Sequence, residues 1–188
     1  MPVSKIEQSL ADVIRRHREA NKLSLRALAA GTGFSPSFIS QVENGQASPS
    51  IASLEKIGAA LGLTLSQLFD ATDEKATNVV RASERKSLTS GWSKATIEAL
   101  GHSGPGTRLE PVMITIDPQG SSGKKPHSNA REEFAIVFDG QVNLNLAEEE
   151  YILERGDSVV IPPDVPHRWH NRRTTPASIL TVTPRSAF

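Results

Sequence analysis

Residues 24–45 read SLRALAAGTGFSPSFISQVENG, and the punctuation of this stretch decides how the first third of the chain folds. Ser24 precedes Leu25, Leu28 and Ala29, which share one helical face, and its oxygen can accept from the free amides of the first turn. Ser35 and Pro36 open a second helix whose apolar residues are Phe38, Ile39 and Val42. Proline suits the first helical position because its missing N–H has no helical partner there anyway. Asn44-Gly45 then stops the helix. Two short helices joined by a glycine-containing turn can project the second of them into a major groove, which is wide enough for one helix. Ile39 and Val42 face inward in that arrangement. Pro36, Ser37, Ser40 and Gln41 are left outside. The same pattern also describes an ordinary wet helix surface.

Outward from this core, Ile6, Leu10, Val13 and Ile14 make an amphipathic stripe before it. After it, Ser50 opens a helix with Ile51, Leu54, Ile57 and Leu61, and Gly62 closes it. Thr64 and Gln67 have capping-box spacing ahead of Leu68 and Phe69. Five short helices are expected over residues 1–70. The stretch DATDEKATNVVRASERKS is polar and charged and reads as a linker, placed at residues 71–84. Beyond it the period drops to two. Val112, Ile114 and Ile116 alternate, as do Phe134, Ile136 and Phe138, then Val142, Leu144 and Leu146. Pro- and Gly-rich turns separate these runs, which predicts a β-sandwich or barrel over residues 85–188.

The 188 residues contain no cysteine, which excludes disulfides and thiolate metal sites. No apolar run approaches a membrane span and no signal peptide is legible, so a soluble, cytoplasmic protein without a membrane partner is expected. Lys and Arg number 21 against 21 Asp and Glu, so bulk charge gives no argument for nucleic acid. Arg15, Arg16, Arg18, Lys22 and Arg26 cluster locally, a pattern shared by DNA-facing and merely solvated helices.

The segment LSLRALAAGTGFSPSFISQVENGQASPSIASLEKIGAALGLTLSQLF resembles Cro/XRE-type (lambda-repressor-like) helix-turn-helix domains over about residues 8–70, with Gly58 standing where alanine is usual. The resemblance implies an all-α five-helix DNA-binding domain. It places Ser35, Ser37, Ser40 and Gln41 on the DNA-facing side of the recognition helix, and Ser24 and Asn44 at backbone phosphates. It also matches Arg18 and Glu43 to a bracing ion pair. Gln41 is the residue best suited to base readout, since an amide can pair bidentately with adenine. One such domain buries little surface, so a homodimer on a two-fold operator in double-stranded DNA is expected.

In GKKPHSNAREEFAIVFDG and GDSVVIPPDVPHRWHN, alternation would put His127, Asn129 and Glu133 on one inner face, with His167 approaching from a neighbouring strand. Two imidazoles and a carboxylate suit a divalent metal; a plain polar cluster has the same spacing. These segments resemble the paired motifs of cupins, all-β double-stranded β-helix barrels of the Cupin_2 kind. The resemblance makes His127, Asn129, Glu133 and His167 the metal set, with zinc, iron, manganese or nickel as the optional cofactor. It departs at Asn129, where a histidine is usual, and at Asp164, where a glycine is usual. Two functions follow as expectations. One is a DNA-binding regulator, not an enzyme, whose barrel senses a small-molecule effector. The other is a metal-dependent cupin enzyme, of dioxygenase or isomerase type, that carries a DNA-binding domain.

Overall fold

The computed structural model describes residues 5–68, 79–90, 93–101 and 107–185, with side chains from residue 10 onward. Its helical unit contains α1 (Lys5–Ala20), α2 (Leu25–Thr32), α3 (Pro36–Glu43) and α4 (Ile51–Leu61). The serines expected to start helices do so. Ser24 accepts from Ala27 N–H, Ser35 from Phe38 N–H and Ser50 from Ser53 N–H, each with extended backbone at the cap. Val13, Ile14, Leu28, Ile39, Leu54 and Ile57 close the core behind them.

Four helices form among the described residues, not five. The capping box after α4 is made in both directions, Gln67 N–H to Thr64 Oγ1 at 3.2 Å and Thr64 N–H to Gln67 Oε1 at 2.9 Å. It closes only one turn, Leu68 N–H to Thr64 O, which seats Leu68 in the core. A cap satisfies a helix start but does not supply the successive bonds that repay nucleation. Phe69 and most of the expected linker, residues 71–78, lie outside the described residues.

The remainder is antiparallel β-structure in two sheets. One has six strands in the order β1 (Ser87–Ser90), β2 (Ala95–Ala99), β3 (Leu109–Ile116), β9 (Ala177–Pro184), β4 (Glu133–Asp139), β7 (Ser158–Ile161). The other orders β6 (Glu149–Glu154), β5 (Gln141–Leu146), β8 (His167–His170). Val112, Ile114, Ala135, Val137 and Ile179 from the first sheet, and Val142, Leu144 and Trp169 from the second, fill the interior. On β4 the inward set is Glu133, Ala135 and Val137. The alternating Phe134, Ile136 and Phe138 therefore lie on the outer face, Phe138 at 60% exposure. Phe134 is paired with Val160 and Val182, and Ile136 with Leu180, so this outer face is a continuous apolar surface.

Helix α4 docks on the barrel. Ala52 N–H donates to Ser122 O at 3.2 Å, and Gly123 lies against Ala52. A Cβ on residue 123 would come within 2.9 Å of the Ala52 Cβ, so only glycine permits this approach.

Candidate functional site

On the helical unit, Ser24, Ser35, Ser37, Gln41 and Asn44 are exposed and Ser40 is half-exposed, while Ile39 and Val42 are buried. Ser24 and Ser35 spend a lone pair on capping, which leaves the Ser24 O–H to donate outward, while Ser35 Oγ also shares a hydrogen bond of 3.0 Å with Ser37 Oγ. Among the described residues the Gln41 side chain has no hydrogen bond, so its amide is available to a base edge. The recognition helix is braced from behind. Arg18 holds Glu43 through Nε at 2.7 Å and Nη2 at 2.9 Å, a bidentate pair in which Glu43 is only 4% exposed. That contact raises the Arg18 pKa still further above its ordinary value. Arg15 adds bonds to Glu43 O and Asn44 Oδ1 at 2.8 and 2.7 Å. Arg15 belonged to a charge cluster that reads equally as a solvated face, and only the fold shows it bracing α3.

On the barrel, His127 and His167 exchange both backbone hydrogen bonds, and their rings lie 4.6 Å apart. Glu133 points to the same floor from β4. His167 lies 3.2 Å from Val165 O through Nδ1, which leaves Nε2 facing inward. Asn129 is different. Its Oδ1 accepts from Arg131 N–H at 3.2 Å, so what it offers the floor is the amide N–H₂, a donor. The expected fourth metal ligand is thus occupied in a local turn. His170 pairs with Glu150 on the outer strand, away from the floor.

The contact that sequence spacing does not reveal is Glu55. This residue of α4 places Oε2 2.5 Å from His127 Nε2, as a close ion pair rather than an aligned hydrogen bond. Burial works against charge on the His127 ring, but Glu55 and then Glu133 outweigh it and raise its pKa. Burial likewise raises Glu55, and His127 more than reverses that, leaving it lowered. On Glu133 the His127 charge acts in the same direction but is outweighed. Burial and the neighbouring Glu55 charge push it up to about 8. His167 is lowered by burial and by His127.

Two imidazoles with a carboxylate are suitable donors for a divalent metal. The arrangement is nonetheless that of a carboxylate set against an imidazole, and among the described residues no three His, Asp or Glu side chains stand as a ready metal cradle. Beside this contact lies a cavity of about 390 Å³ with walls from both units. Glu55, Lys56 and Thr64 come from the helical side, and Asn129, Arg131 and Glu133 from the barrel.

A helical unit whose recognition helix is braced for a groove, docked through α4 on a small β-barrel with a polar floor, defines a DNA-binding regulator with an attached barrel domain. Residues 14–68 match the helix-turn-helix family HTH_3 and residues 112–183 match the cupin domain family Cupin_2, so the chain carries a helix-turn-helix domain followed by a cupin domain. It is 25% identical over 171 residues to the HTH-type transcriptional regulator PuuR of Escherichia coli, covering 91% of this chain and 92% of that one. The crystal structure of an HTH_3 family transcriptional regulator from Vibrio cholerae superimposes with a TM-score of 0.77 at 25% identity, covering 97% and 98% of the two chains. The fold is shared, at 21% identity and a TM-score of 0.50, with a hydroxypropylphosphonic acid epoxidase from S. wedmorenis, over 96% of this chain and 100% of that one. No helix among the described residues is long and apolar enough to cross a membrane.

Proposed function

We propose that this DNA-binding regulator is a cytoplasmic homodimer whose barrel senses a small metabolite, and that the metabolite sits between the barrel and the DNA-reading unit of the same chain. The observation that carries this reading is the cavity of about 390 Å³ with walls from both units. Its size suits a small ligand, and pockets at domain interfaces are common ligand sites. A ligand there touches α4, which packs on α1 and α2, the helices that hold the recognition helix, and it regulates DNA binding to the extent that its affinity differs between arrangements of the two units. We assign DNA contact to Ser24, Ser35, Ser37, Ser40, Gln41 and Asn44. The boundaries 1–70, 71–84 and 85–188 accord with a helix-turn-helix match ending at residue 68 and a first strand beginning at Ser87.

The homodimer reading is supported by the outer face of β4, β7 and β9, where Phe134, Phe138 and Val160 are 40, 60 and 54% exposed. A second copy seated there would hold two recognition helices at a fixed spacing. We read the chain as a regulator without catalytic activity, in keeping with its regulator relatives over nearly the full length. A metal on His127, Glu133 and His167 is the second reading, favoured by their convergence on one floor; it requires Glu55 to withdraw. The deciding experiment is a thermal-shift screen of metabolites with and without divalent metals, because a ligand of the native state must raise the melting temperature. A reproducible rise with one metabolite class supports the sensor. No rise with any metabolite, alongside stoichiometric metal and turnover, would favour the enzyme.

A further inference from the structure

The cavity between the two units is lined by several donors, of which Arg185 is paired with Glu110. Among the described residues neither Lys56 nor Arg131 makes an ion pair, although both line it. Arg131 uses Nη1 on Pro184 O at 3.0 Å, and its other nitrogens remain open. The Asn129 carbonyl is taken by Arg131 N–H, which leaves its amide N–H₂ as the group presented. Of the carboxylates that line this space, Glu55 is the one that the helical unit contributes, and it is set on His127. The Glu55 Oε2 atom is buried against the His127 ring. Helix α4 is tethered to the barrel through this contact and through Ala52 on Ser122.

We propose that Glu55 is the internal occupant of a carboxylate site: the effector carries a carboxylate that takes the place of Glu55 on His127, held by Asn129, Lys56 and Arg131, and thereby releases α4 from the barrel. This rests on the sensor reading above and specifies its ligand class. An internal occupant lowers the apparent affinity of an outside one by the fraction of time the site is closed. Glu133 faces the same space and is the group that would recognise an amine, so a cationic ligand is the competing outcome.

Propionate is the Glu55 side chain detached, and it serves as the probe. Its binding to the full chain is followed by NMR of the histidine ring protons, at ionic strength held constant with sodium chloride. Glu55→Ala, with melting checked by circular dichroism, is expected to bind propionate about tenfold more tightly than the wild type, since the closed state no longer competes. Asn129→Asp, isosteric and at a half-exposed position, is expected to lose propionate binding in either background. The proposal is overturned if Glu55→Ala binds propionate no more tightly, if neither protein binds it, if Asn129→Asp binds it as well as the wild type, or if propylammonium is preferred. Operator binding is measured separately on the same samples. Loss of sequence preference there would overturn the regulator reading and leave the propionate result standing on its own.

Discussion

Asp164 occupies a position where cupin motifs carry glycine, and its φ of 61° shows why. The turn requires a left-handed residue, and aspartate is among the few side chains that accept one. Gly58 is the converse departure, glycine in place of alanine. A Cβ there would lie 2.8 Å from Leu63 O, so the chain end of α4 packs too closely for a methyl group. Both departures were visible in the sequence, but their causes are tertiary. Gln41 and Glu43 carry predictions at this scale. Gln41→Ala should weaken operator binding by roughly 1–3 kcal/mol and relax one base position, as the loss of a bidentate contact does, measured by anisotropy on a panel of single-base variants. Unchanged discrimination at every position would remove Gln41 from base readout. Glu43→Ala leaves Arg18 without its bidentate partner and should cost about 2–3 kcal/mol in urea unfolding. A loss below 0.5 kcal/mol, on the order of an exposed pair, would show that the brace is not structural.

The helices were legible because their signals are local: a serine cap, an apolar stripe and a stop each lie within one turn of what they control. The segment after Gly62 shows the limit of such signals, since its capping box forms without a helix following it. Strands were legible as alternation, but alternation does not say which face is inward. On β4 the larger side chains are outside and Glu133, Ala135 and Val137 inside, where Trp169, Leu144 and Ile179 already occupy much of the interior. The outward phenylalanines lead to an expectation for assembly. Phe138→Asp puts a charge in the centre of the proposed contact between copies and should shift the full chain from dimer to monomer at micromolar concentration. Sedimentation velocity reads this directly, with the circular dichroism spectrum unchanged because the side chain is on the surface. A dimer that survives this change lies elsewhere.

Across the whole molecule, the candidate site is divided between what each unit carries and what docking brings together. His127, Glu133 and His167 were legible through spacing and resemblance. Glu55 was not, because an acidic residue on the polar side of a helix carries no local sign that it will meet a barrel far along the chain. Asn129 was legible as an anomaly, and its donor role emerged only from the turn that takes its carbonyl. In the proposed dimer the protein reads a DNA sequence through a pair of recognition helices. Dimerisation matters to that readout through effective concentration: once one helix is bound, the second meets its half-site intramolecularly. Fluorescence anisotropy of the full chain on DNA from its own upstream region, against a scrambled duplex at the same salt concentration, tests this most directly. Binding about 10³-fold or more tighter to the upstream DNA is expected, falling toward the scrambled value in Phe138→Asp. Equal affinity for both duplexes, or specific binding undiminished in a variant shown to be monomeric, would contradict that readout.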